Sequence, residues 1–98
     1  MTTLGRSVEE IAAAIASGEI SAAEAATVHL DALARVDKEL NAVARLEPEA
    51  AAAAAAEKDA AAASTGPLHG VPLAHKDIYG RAEWLHEAGS AVLAGNRA

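Results

Sequence analysis

This chain has no cysteine and no phenylalanine, one tryptophan, one tyrosine and three prolines. Without cysteine there is no disulfide framework and no thiolate metal site, which fits a reducing compartment. Trp84 and Tyr79 are the only aromatics, too few for a base-stacking platform. Lys and Arg number 8 against 14 Asp and Glu, for a net charge of −6. No basic stripe is available to displace counterions, so direct nucleic-acid binding is not expected. Long hydrophobic runs are missing as well. The longest alanine stretch, residues 50–56, meets Glu57, Lys58 and Asp59 far short of the roughly 20 residues a membrane span needs. The opening MTTLGRSVEE has no continuous apolar core of the signal-peptide kind. These absences predict a soluble, cytoplasmic protein with no membrane partner.

What is present is alanine. Of the 98 residues 29 are alanine, whereas Leu, Ile and Val together supply 19. That is just under the roughly 20% at which compact folding becomes doubtful for a charged chain. The length allows one small domain at most, and a mostly helical chain of marginal stability on its own is expected.

Two helix starts are written in the sequence. Ser7 followed by Glu10 forms a capping box, after which Val8, Ile11 and Ile15 share one face and Gly18 supplies a stop. Ser21 and Glu24 repeat the device. The helix they open carries Val28, Leu33, Val36 and Leu40 near one stripe, with Asp31 and Arg35 spaced as an i,i+4 ion pair. Residues 41–46 read equally as a short strand or a helix tail. A third helix is expected from Glu47 and Pro48, proline suiting the first helical position, and its alanines read as a surface helix.

At Ser64 the composition changes. Residues 64–72 hold two glycines and two prolines, predicting turns and extended backbone. Residues 71–78 read as a short buried strand. On it Ala74, Lys76 and Ile78 would face one way and His75 and Asp77 the other. A lysine among small apolar neighbours is desolvated in a closed domain, which favours the neutral amine that a base requires. The expected domain organisation is one unit, 1–98, with a helical region at 1–63 and a lysine-bearing segment at 64–98 that stops mid-fold.

The run Gly66-Pro67-Leu68-His69-Gly70-Val71-Pro72-Leu73-Ala74-His75-Lys76-Asp77 resembles the Gly-Pro-Leu-x-Gly-Val-Pro-x-x-x-Lys-Asp stretch that opens the amidase signature family. Gly89 and Ser90 fall thirteen and fourteen residues beyond Lys76, the offset of a Thr-x-Gly-Ser stretch in that family, although the threonine is Glu87 here. Leu40-Asn41-Ala42-Val43 and the two capped helices are similar to the family's helical N-terminal region. The resemblance implies an α/β parent fold, a mixed sheet flanked by helices. To it this chain would contribute three helices, a turn-rich segment and one short strand. It implies hydrolysis of the carbon–nitrogen bond of linear amides by a Ser–cis-Ser–Lys triad, with Lys76 as the catalytic lysine and no cofactor. The implied partners are a small-molecule amide, and a second copy of the chain or companion amidotransferase subunits.

The glycine- and serine-rich segment that supplies both triad serines in the family is absent. The five serines, Ser7, Ser17, Ser21, Ser64 and Ser90, include no adjacent pair. Ser7 and Ser21 are caps, Ser17 and Ser64 helix-end or turn residues, and Ser90 a structural neighbour of the site. The chain alone is therefore expected to be inactive. Other motifs fail on inspection. Lys76 follows His75 rather than glycine, unlike a phosphate-binding loop, and residues 86–90 begin as a zinc-binding His-Glu-x-x-His helix but end in serine. His69 and His75 lack a third ligand and read as hydrogen-bonded structural residues. The class alternatives are a non-catalytic helical interaction module and one subunit of a tRNA-dependent amidotransferase.

Overall fold

The computed structural model describes residues 4–61, 63–76, 79, 85, 88 and 90–97. Three helices follow one another: α1 (Val8–Ala16), α2 (Ala22–Leu40) and α3 (Pro48–Ala60). Helix α1 begins as its sequence dictates. Ser7 Oγ accepts from the Glu10 amide at 3.1 Å, and Glu10 Oε1 accepts from the Ser7 amide at 3.4 Å. Arg6 adds a 3.0 Å ion pair to the same carboxylate. The helix closes in a Schellman turn. Glu19 N–H donates to Ala14 O and Gly18 N–H to Ile15 O, with Gly18 at φ +79°, where a side chain would be strained.

That turn throws Ile20 back onto Ala14 and Ala25, with Ile15 packed alongside. A second cluster joins Ala22 and Ala26 of α2 to Ala55 of α3, covered by Leu30. Among the described residues the core is thus mostly alanine, and only Ile11 and Ile20 bring large buried side chains. Burying an isoleucine is worth roughly 1.5–3 kcal/mol, whereas an alanine methyl adds about 0.8. Of the apolar stripe expected along α2, Val28, Leu33, Val36 and Leu40, only Val28 is partly covered. Leu33, Val36 and Leu40 are exposed, Leu40 at 66%, and Leu30, outside that stripe, is the partly covered leucine of α2. Asp31 and Arg35 are both exposed and make no ion pair with each other.

Residues 41–46 are neither strand nor helix tail. Asn41 takes the left-handed conformation (φ 48°, ψ 43°) and ends α2, and Asp37 Oδ1 accepts from Val43 N–H at 2.8 Å. Glu47 and Pro48 then open α3 at the expected place, with proline in the first turn. Its alanines are mostly exposed, as a surface helix requires.

The short strand expected over residues 71–78 does not form across 71–76. This backbone is irregular, and Leu73, Ala74, His75 and Lys76 are exposed, Leu73 at 75%. A strand is held by a ladder to a neighbour, and the described residues offer these six none. The only pairing among them is an isolated antiparallel bridge between Leu85 and Arg97. Asp77 and Ile78, the end of that predicted strand, lie outside the described residues, as do Trp84, His86, Glu87 and Gly89. Among the described residues no helix is long and apolar enough to cross a membrane.

Candidate functional site

The turn over residues 66–70 is fastened to the helices from two sides. His69 N–H donates to Gly66 O at 3.1 Å and Val71 N–H to Leu68 O at 3.0 Å. Ser64 bridges Gly66, donating from its hydroxyl to the carbonyl and accepting from the amide. The His69 ring reaches the end of α3. Its Nε2 meets Lys58 O at 2.9 Å, while Nδ1 accepts from Thr65 N–H at 3.0 Å. Lys58 Nζ donates to Thr65 Oγ1 at 3.0 Å.

The second fastening is steric. Gly70 sits at φ +80°, and a Cβ built there would lie 2.9 Å from Ala22 Cβ and 3.3 Å from Ile15 Cγ2. Backbone replaces side chain because the turn is pressed into the crevice between α1 and α2. The sequence marked Gly70 as a turn residue; its contact with Ala22 comes from 48 positions away and had no local sign.

Past Gly70 the chain runs along an open groove of about 1320 Å³ between α2, α3 and the 65–76 segment. Ala26, Leu30 and Leu33 of α2 line one wall, Ala54 and Ala55 of α3 another, and Leu85 also contributes. Lys76 borders this groove and is exposed. Its carbonyl accepts from Tyr79 N–H at 3.1 Å and from His75 Nδ1 at 3.2 Å. His69 and His75 therefore hold separate backbone groups instead of converging. Among the described residues no group of three or more His, Asp or Glu is placed to hold a metal ion.

Each serine has a local task. Ser7 and Ser21 cap α1 and α2. Ser17 Oγ donates to Ala14 O at 3.1 Å, and Ser64 holds its turn. Ser90 Oγ accepts from Val92 N–H at 3.2 Å, and its carbonyl accepts from Leu93 N–H, so it caps the turn at 90–93.

Nothing in the sequence signals Asp59, which ties α3 to α2 beside the groove. Its Oδ1 accepts from Ala22 N–H at 2.8 Å and its Oδ2 from Ala23 N–H at 3.0 Å. With Ser21 Oγ on Glu24 N–H, three of the open amides at the start of α2 are satisfied. In the capping box expected here, Glu24 would reach back to the Ser21 amide; only the Ser21 half forms, and an acidic group from α3 takes the next two amides, Ala22 and Ala23.

The Amidase family model matches residues 24–98, and the chain belongs to the amidase family. It is also 41% identical, over 92 residues, to a glutamyl-tRNA(Gln) amidotransferase subunit from Thermobifida fusca (strain YX). That match covers 91% of this chain and 18% of the relative, so the chain spans about a fifth of the relative's length. No solved structure matches the chain.

Proposed function

We propose that this chain is the lysine-bearing part of an amidase-type hydrolase acting on the carbon–nitrogen bond of a linear amide. The observation behind this reading is that the family match includes the 66–77 run, and that Lys76 stands exposed beside an open groove. The parent domain in this proposal is α/β, a mixed sheet flanked by helices, and Lys76 is the basic end of a Ser–cis-Ser–Lys triad. Neutral lysine draws a proton through the middle serine from the nucleophilic one, then returns it to the departing amine. Backbone amides hold the oxyanion. The two serines have no counterpart among the five in this chain, each of which already serves a cap or turn. The 98 residues by themselves carry no nucleophile and are proposed to be inactive, with no cofactor required.

The relationship to an amidotransferase supports a second, narrower reading. In it the parent acts in the cytoplasm, releases ammonia from an amide donor and passes it to companion subunits. A free-standing amidase, alone or as a homodimer, would release ammonia to solvent.

A chimera tests the role of Lys76: residues 1–98 replace the matching segment of the Thermobifida fusca relative. Ammonia release by the chimera should fall about 10²–10⁴-fold when Lys76→Met is introduced, the usual size of a general acid–base contribution. Full turnover in Lys76→Met would remove the proposed role. Recovery of companion subunits and tRNA with the full-length protein that contains residues 1–98 supports the amidotransferase reading, and their absence the free-standing one.

A further inference from the structure

We propose that the Thr65 hydroxyl, activated by His69 and Lys58, is a nucleophile that accepts the acyl group of an activated aryl ester. Thr65 Oγ1 lies 3.1 Å from His69 Nδ1, within reach of a general base. The far side of the ring is fixed. Its Nε2 meets Lys58 O at 2.9 Å, and a carbonyl can only accept, so Nε2 carries the proton. In the neutral ring this leaves Nδ1 bare toward the hydroxyl. Lys58 Nζ donates to the same hydroxyl oxygen at 3.0 Å, and a cation there favours the developing alkoxide. Nucleophile, base and a group that orients the base thus stand in one row, the arrangement that activates a hydroxyl for acyl transfer. The Thr65 amide, 3.0 Å from Nδ1, shares the lone pair and keeps the ring facing residue 65; being exposed, it turns to water once the proton arrives.

The cluster is open to a substrate. Thr65 is exposed, and Lys58, Thr65 and His69 all line the groove, whose largely apolar walls suit an aryl group. In the step, Oγ1 adds to the ester carbonyl carbon while its proton passes to Nδ1. The Lys58 ammonium has N–H groups left over for the oxyanion that forms beside Oγ1. Collapse breaks the acyl C–O bond and expels the phenolate. An O-acyl threonine remains, and the imidazolium gives its proton to solvent. A phenolate leaves without taking up a proton, so no general acid is required. The amine of an amide does require one, so this hydroxyl is not the triad nucleophile that the chain lacks. Lys76 takes no part.

The test treats the 98-residue chain with p-nitrophenyl acetate and maps the acetyl group by peptide mass spectrometry over time. It involves neither Lys76 nor amide turnover, so its outcome is separate from that of the amidase reading. Ser64 is the internal control: it is also exposed, but its hydroxyl donates to Gly66 O and not to a ring nitrogen. Thr65 should acetylate about 10²-fold faster than Ser64, the low end of a general-base contribution. Thr65→Ser should keep the label and Thr65→Val should lose it. His69→Gln keeps a donor and an acceptor but takes up no proton, and should slow residue 65 to the Ser64 rate. Equal rates at Thr65 and Ser64 overturn the proposal, as does a Thr65 label that forms as fast in H69Q. Acetyl found on Lys58 and not on Thr65 also overturns it, because the amine is then the nucleophile.

Discussion

Asp59 Oδ1 lies 2.8 Å from the amide nitrogen of Ala22, joining the last turn of α3 to the first turn of α2 across 37 residues. The carboxylate meets the positive end of the α2 dipole and takes two N–H bonds there. Hydrogen bonds to a charged group contribute about 1.5–3 kcal/mol. Asp59→Ala should therefore destabilise the chain by about 2 kcal/mol in urea unfolding, and Asp59→Asn, which keeps one acceptor, by less. If Asp59→Ala leaves the midpoint unmoved, the cap contributes nothing.

Gly70 is expected to tolerate no side chain. Alanine there faces both a strained positive φ and a 2.9 Å approach to Ala22 Cβ. Strain alone costs about 1–2 kcal/mol, and the overlap must be relieved by lifting the turn. Gly70→Ala should lower the unfolding midpoint and shift the NMR signals of Ala22 and Ile15. Gly95, also at positive φ but with open space around it, should show the strain cost alone.

Acid should loosen α1 first. The Glu10 carboxyl is held below the ordinary glutamate range, chiefly by the Arg6 guanidinium and then by the Ser7 amide and hydroxyl. A carboxyl whose folded pKa is depressed stabilises above its unfolded pKa, and that contribution is lost as pH falls through the lower folded value. Residue-resolved NMR on residues 7–16 should show fraying as pH drops below the ordinary glutamate range. In Glu10→Gln that fraying should no longer depend on this titration. An unchanged acid response in Glu10→Gln would move the origin elsewhere.

Sensitivity to substitution should divide sharply along the apolar residues. Ile20, 3% exposed, sits at the α1–α2 junction, and Ile20→Ala should cost about 2–5 kcal/mol. Val36 and Leu40, 47% and 66% exposed, should accept glutamine with changes within about 0.5 kcal/mol. Far-UV circular dichroism of the three variants checks this. An equal loss of helix in all three would mean that the far half of α2 is buried in solution.

What the sequence makes legible is what neighbours in the chain decide. Ser7 with Glu10, Gly18, Ser21 with Glu24 N–H and Pro48 each act within one helical turn, and each stands in the structure where expected. The strand expected at 71–78 fails across 71–76 because alternation describes a preference, whereas a strand also needs a partner. The α2 stripe is shorter than its pattern for a similar reason: periodicity marks a face but not whether anything covers it. Asp59 on Ala22, Gly70 against Ile15 and His69 on Lys58 O are tertiary choices with no local signature. Lys76 is legible only through its motif, since nothing in its immediate chemistry distinguishes it from an ordinary surface lysine.

Helix α3 shows methyl groups on nearly every side, so packing alone gives it no preferred rotation about its long axis. Smooth cylinders can roll or slip by a residue at little cost, because no bulky knob must climb out of a hole. What breaks this degeneracy is polar: one anion at the far tip and one carbonyl gripped by a ring select a single angular setting. The angular setting of this helix is consequently fixed by where two polar groups dock, not by the bulk of its side chains.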